Sequence, residues 1–112
     1  MTIHGAVASL AYGNDARTQA VLADWRTAPI DERLRAMLGF LEKLTFTPEA
    51  MTANDAQELK QMGLSDEAVE DAIHVNALFS IYVRLADAFS FHQPDSVGYA
   101  QGAKRLLKRG YK

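Results

Sequence analysis

Cysteine is absent from all 112 residues. That single absence excludes disulfides, thiolate catalysis and cysteine-ligated metals. No apolar run reaches the roughly 18 residues that a bilayer span needs, and Arg84 and Asp87 interrupt even the most apolar stretch. The chain does not open with a basic segment followed by an apolar one, so no secretory signal is legible and the cytoplasm is the default location. Neither sign of charge is in excess. With 12 basic and 14 acidic residues the formal net charge is -2, so no global field draws the chain to nucleic acid or anionic lipid. Strand-like alternation, internal repeats and low-complexity segments are all missing. The 3 histidines show neither HxxxH nor HExxH spacing, so no metal and no cofactor is expected.

What remains is helical. A hydrophobic fraction of 48% and a charged fraction of 23% suit a folded chain with a modest core. Residues 1–112 are read as a single all-α domain, a helical bundle built around one long apolar helix. That helix is the stretch from Leu64 to Phe91. Ser65 supplies an N-terminal cap, and Asp66, Glu67, Glu70 and Asp71 suit the positive end of the helix dipole. No Gly or Pro follows before Phe91, which predicts about seven unbroken turns. From Ala72 onward apolar residues go most of the way round, so the helix must be surrounded. A chain this short has few helices of its own for that, so neighbouring subunits are expected to help: a homo-oligomer through the central helix.

In chain order, Thr2 to Tyr12 reads as a helix with Ile3, Val7, Leu10 and Ala11 inward, stopped by Gly13. Its start at residue two, without a cap, is read either as the tail of something longer or as a frayed end. Ala16 to Trp25 forms a second helix with Ala20, Val21 and Trp25 inward, broken by Thr27, Ala28 and Pro29. Asp31 caps a third through Leu44, with Leu34, Met37, Leu38, Leu41 and Leu44 as its inward stripe. Pro48 starts a single turn, Thr52 and Asp55 fit a capping box, and Ala53 to Met62 is a short helix facing in through Ala56 and Leu59. Gly63 ends it where a positive φ is needed. Leu64 then touches both Leu59 and Val69, as the apolar partner of the ending and the staple of the next start. Past the loop His92–Ser96, Val97 to Leu107 forms a last helix weakened by Gly98 and Gly102.

Several of these pieces resemble one family. Asp24-Trp25-Arg26 with Ala28-Pro29 comes first, then Phe40-Leu41-Glu42-Lys43-Leu44-Thr45. Gly63-Leu64-Ser65-Asp66-Glu67 and Arg84-Leu85-Ala86-Asp87 follow, and a Leu-Leu pair precedes Arg109-Gly110-Tyr111. Their order and spacing resemble the alkylhydroperoxidase D-like proteins of the carboxymuconolactone decarboxylase superfamily, in the peroxidase-related branch, from about Ala20 to the end. The resemblance implies that family's helical fold, a homo-oligomer, and an oxidoreductase, antioxidant ancestry. In it a CxxC pair, activated by a glutamate–histidine relay, reduces a hydroperoxide and closes into a disulfide. His4-Gly5-Ala6 is similar to the family's histidine and the small residues after it, which places the second cysteine just before Met1. His4 is thereby the one candidate catalytic residue, a relay without a thiol to activate. Ser80 and Val83 stand where many relatives carry asparagines. The chain as written is expected to be inactive as a thiol peroxidase; the alternative is a non-catalytic oligomer that acts as a scaffold or binds a small ligand.

Other candidates carry less. His4 is otherwise a histidine near a chain end with no chemistry. His74, one turn after Glu70 and Asp71, is expected to be a satisfied structural histidine, with a pocket between subunits as the alternative. His92 is read as a surface loop residue. Arg84 and Asp87 are expected to pair as an internal or interfacial salt bridge, or else to mark a polar spot in a ligand cavity. Met37, Met51 and Met62 are read as core or filler, and Trp25 as packing under the turn to Pro29. A helix–turn–helix reading of Leu59 to Phe79 fails on sign, because the helix start that would meet phosphates carries Asp66, Glu67, Glu70 and Asp71. The basic tail Lys104, Arg105, Lys108, Arg109 and Lys112 suits a helix C-terminus, so nucleic acid is not an expected partner.

Overall fold

A computed structural model describes residues 3–111, and for Ile3 the backbone alone. Thr2, the inward side chain assigned to Ile3, and Lys112 lie outside the described residues. The described chain is helical and contains no strand. It runs α1 Ile3–Tyr12, α2 Ala16–Asp24, α3 Glu32–Phe46, a 3₁₀ turn Pro48–Ala50, α4 Ala53–Gln61, α5 Asp66–Ala88 and α6 Ser96–Arg109. No helix among the described residues is long and apolar enough to cross a membrane. The chain divides into two compact units, one from Asp31 to Phe91 and one formed by the segments on either side of it.

The unit from Asp31 to Phe91 holds α3, α4 and α5. Asp31 Oδ1 accepts the Arg33 N–H at 2.9 Å and starts α3. The helix runs past Leu44 to Phe46, where the Thr47 N–H closes the last turn on the Lys43 carbonyl at 2.9 Å. Asp55 Oδ2 accepts the Thr52 N–H at 2.7 Å, the acidic half of the expected capping box, and sets the first turn of α4. Asp55 Oδ1 takes Lys43 Nζ at 2.7 Å and ties α4 to α3. That ammonium first, and the Thr52 N–H second, hold the Asp55 carboxyl below the usual carboxylate range.

The corner between α4 and α5 follows from three residues. Gly63 has φ +85°, its N–H bonds Lys60 O at 2.9 Å, and the Leu64 N–H reaches Leu59 O at 3.1 Å. This paired ending is the Schellman arrangement. Ser65 Oγ then accepts the Ala68 N–H at 3.1 Å. The core is Met37, Leu59 and Val69, with Leu64, Phe40, Leu41, Ala36, Ala72 and Ile73 packed against it. Leu34, assigned inward, is exposed. It lies in the first turn of α3.

Helix α5 stops at Ala88, short of Phe91. Ser90 adopts φ +51°, and the Phe91 N–H turns back to Ala86 O at 3.0 Å. Ser90 therefore occupies the left-handed position that glycine usually takes, at a cost of about 1–2 kcal/mol for an L-residue. No Gly or Pro announces the stop, so composition missed it.

In the other unit α1 packs on α6 and α2. Gly5 and Ala6 of α1 and Ala103 of α6 are buried, while Leu10 and Ala11 face water. Val7, also assigned inward, is half-buried, so the inward face of α1 is turned toward Gly5 and Ala6 from the one expected from spacing. Small side chains let two helix backbones approach closely, and α1 is apolar on too many sides for spacing to choose among them. On α2 the buried residue is Thr18, while Ala20, Val21 and Trp25 are half-buried. Asp95 Oδ1 accepts the Gly98 N–H at 2.8 Å and caps α6. Gly110, at φ +63°, ends it with its N–H on Leu106 O at 2.8 Å.

Candidate functional site

His4 lies in the first turn of α1 and is exposed. Its Nε2 is 2.7 Å from the Tyr111 hydroxyl, a hydrogen bond whose donor depends on the imidazole tautomer. Gly102, Arg105, Leu106 and Gly110 complete a recess of about 290 Å³ around the two rings. The residues lining this recess include no carboxylate. An imidazole beside a phenol can pass a proton. Breaking a peroxide O–O bond also requires an electron pair from a reductant, and the sequence holds no thiol to give it.

The other two histidines are not among the residues that line that recess. His74 is exposed on α5, and no ion pair joins it to Glu70 or Asp71 among the described residues. His92 is an exposed loop residue. No grouping of His, Asp and Glu among the described residues is suited to a metal ion.

Arg84 and Asp87 form no internal salt bridge among the described residues. The guanidinium instead turns back along its own helix, and Nη1 donates to Ser80 O at 2.7 Å. A carbonyl four residues earlier is within reach and asks for no second side chain to be ordered. Arg84 borders an open recess of about 410 Å³ between α3 and α5, with Thr45, Asn76, Phe79, Ser80 and Val83. Asn76 Nδ2 donates to Thr45 Oγ1 at 3.1 Å, and that hydroxyl donates onward to Leu41 O. The relay pins the two helices at the rim of the recess. Sequence reasoning passed over both residues, since a Thr and an Asn thirty-one positions apart carry no local signal.

The largest feature is a row of apolar side chains on α5 and its C-terminal cap residue, Phe89. Val75, Leu78, Tyr82, Leu85 and Phe89 are exposed at 40% to 69%, while Val69 and Ile73 on the other side of the helix serve the core. Phe79 and Ile81 flank the row and are exposed too. The row repeats at intervals of three and four residues, the spacing of a seam between two helices. Reading the helix as apolar on nearly every side hid this repeat, although the intervals alone contain it. At the N-terminal end of the same helix Asp66, Glu67, Glu70 and Asp71 are all exposed.

Set against protein-family models and curated proteins, the sequence matches none.

Proposed function

We propose that this chain is a helical protein of the alkylhydroperoxidase D-like lineage, in its peroxidase-related branch, that does not reduce hydroperoxides and acts as a self-associating scaffold in the cytoplasm. The lineage rests on the ordered pieces Asp24-Trp25-Arg26, Gly63-Leu64-Ser65-Asp66-Glu67 and Arg84-Leu85-Ala86-Asp87. On this reading the bundle is that lineage's fold, with α5 as its long apolar central helix. The loss of peroxidase chemistry rests on the absence of cysteine.

The observation that carries the scaffold reading is the exposed row Val75, Leu78, Tyr82, Leu85 and Phe89. Burying such side chains fully is worth about 1.5–3 kcal/mol each. Each is about half exposed, so a second copy laid on the row gains about 1 kcal/mol per residue on each side, enough to offset much of the cost of association. Light scattering at micromolar concentration is expected to give an oligomer, and a clean monomer refutes the reading. A hydroperoxide-consumption assay with a thiol reductant is expected to stay at the buffer rate; turnover by the 112-residue chain would overturn the inactive assignment.

A second reading has its own observation. The recess beside Arg84 sets a guanidinium and the Thr45–Asn76 pair next to Phe79, which suits a small molecule with an anionic head and an apolar body. A thermal-shift screen of such compounds tests it. A hit abolished by Arg84→Ala supports the reading, and a screen without hits removes it.

A further inference from the structure

We infer that the recess between α1 and α6 binds a phosphate monoester, with Arg105, Tyr111 and His4 supplying the hydrogen bonds. The inference is independent of self-association and concerns only the unit formed by the segments on either side of Asp31–Phe91.

Charge comes first. The near-neutral total of -2 conceals a segregation of sign. Residues 1–30 and 92–112 hold seven basic residues against Asp15, Asp24 and Asp95, and no acid follows Asp95 in the sequence. Asp95 caps the far end of α6, about 15 Å along the axis from Arg105 at 1.5 Å per residue. Around Arg105 the same helix adds Lys104, Lys108 and Arg109. A helix C-terminus carries about half a negative charge, which opposes an anion. Four full cations in the last two turns outweigh it, and the Gly110 N–H already occupies the Leu106 carbonyl at 2.8 Å.

Arg105 then stands out for its lack of a partner. Arg17 and Arg26 lie over aromatic rings, Arg33 and Arg35 pair with carboxylates, and Arg84 bonds its own helix. The Arg105 guanidinium makes no ion pair, side-chain hydrogen bond or ring contact with any described residue, although it borders a recess.

The two rings supply the rest. Their centroids lie 6.4 Å apart at a tilt of 34°, and the 2.7 Å bond from His4 Nε2 to the phenol holds them together. With the imidazole proton on Nε2, His4 donates to the phenol oxygen, and the phenol hydrogen is left to donate to a ligand. A guanidinium fork matches two oxygens of a phosphate. A phosphate monoester carries about -1.5 to -2 at pH 7, against one charge on a carboxylate or a sulfate ester, so these basic surroundings favour it. Gly102 and Gly110 line the recess without side chains. A volume of about 290 Å³ is at the lower end of ligand pockets, so the ester sits on a small body, to which the rings offer an apolar face.

The test follows backbone amide shifts of the full-length, isotope-labelled chain in about 0.15 M salt near neutral pH, titrated with phenyl phosphate. The Gly102 and Gly110 amides are expected to move along a saturable curve. Arg105→Gln is expected to weaken binding about tenfold and Tyr111→Phe about fivefold. Lys104→Gln removes an exposed cation outside the lining and is expected to change binding less than about twofold. Arg105 and Tyr111 are exposed, and unchanged far-UV circular dichroism confirms that each variant folds. Phenyl sulfate and benzoate are expected to bind at least about fivefold more weakly than phenyl phosphate. No saturation at Gly102 and Gly110, or equal weakening in all three variants, would overturn the site. Equal affinity for phenyl sulfate or benzoate would overturn the ligand class. Vesicles containing phosphatidic acid present the same group on a lipid and distinguish its source. Co-sedimentation that Tyr111→Phe abolishes assigns the ester to a membrane, and a chain left in the supernatant assigns it to a soluble molecule; the site stands in either case. Co-sedimentation unchanged by Tyr111→Phe would mean that the basic helix end reads charge alone, and would overturn the recess as the site.

Discussion

Replacing Leu59 with alanine tests the packing account most sharply. Leu59 is 3% exposed and sits between Met37 and Val69 with Leu64 closing over it. The substitution removes roughly three CH₂ equivalents, about 2.4 kcal/mol of transfer free energy at about 0.8 kcal/mol each. A cavity term adds to this where the neighbours cannot relax. Here they can. Leu59 borders a shallow recess of about 240 Å³ that Phe40 and Met62 also line. Met62 is itself 40% exposed and unbranched, so it can move inward. The loss should therefore fall at the low end of the usual range, about 2.5–3 kcal/mol. Urea titration followed by far-UV circular dichroism reads it as a lower midpoint with an unchanged slope. Phe46→Ala is the control: Phe46 is 77% exposed at the end of α3, and its removal should cost less than about 0.5 kcal/mol. Where the two compact units give separate transitions, Leu59→Ala should move only one of them. A loss below about 1 kcal/mol, or equal losses in the two variants, would refute the assignment of this cluster as the core of the unit.

Three further outcomes are expected. Because Lys43 and the Thr52 N–H hold the Asp55 carboxyl below its unfolded value, its contribution is complete above about pH 4 and fades as pH falls through the folded value. Urea midpoints from pH 6 downward should show wild type above Asp55→Asn at neutral pH and the two converging in acid; a gap that widens in acid would contradict the sign. Ser90→Gly should stabilise by about 0.5–1 kcal/mol, the left-handed strain relieved minus the entropy of a freer unfolded chain, read as a raised Tm. Thr18→Val should also stabilise, by about 1 kcal/mol, since the Thr18 hydroxyl is buried with no partner among the described residues; a lowered Tm would mean that hydroxyl is satisfied in solution.

Local chemistry was legible wherever one residue type has one job. Asp31, the Thr52–Asp55 pair, Gly63 and Ser65 set starts and stops from the sequence because their bonds reach no more than a few residues. The end of α5 was not legible, because serine seldom takes the left-handed position that Ser90 takes. For a different reason, spacing placed the inward face of α1 only in part. Its apolar residues surround the helix, and α6 approaches where Gly5, Ala6 and Ala103 leave room for the backbones. Arg84 pairing with its own Ser80 carbonyl, rather than with Asp87, is likewise a choice between two reachable acceptors that spacing cannot rank.

The amino-acid sequence alone determined that the chain is helical, where most of its helices begin and stop, and that no thiol chemistry is open to it. Those properties follow from side-chain type and from bonds spanning three or four residues. Tertiary structure alone decided which side of each helix is covered, that Thr45 meets Asn76, that His4 meets Tyr111, and that Val75, Leu78, Tyr82, Leu85 and Phe89 remain in water. Those depend on which helix lies beside which, and contacts between residues distant along the chain are set by the shape and volume of whole surfaces.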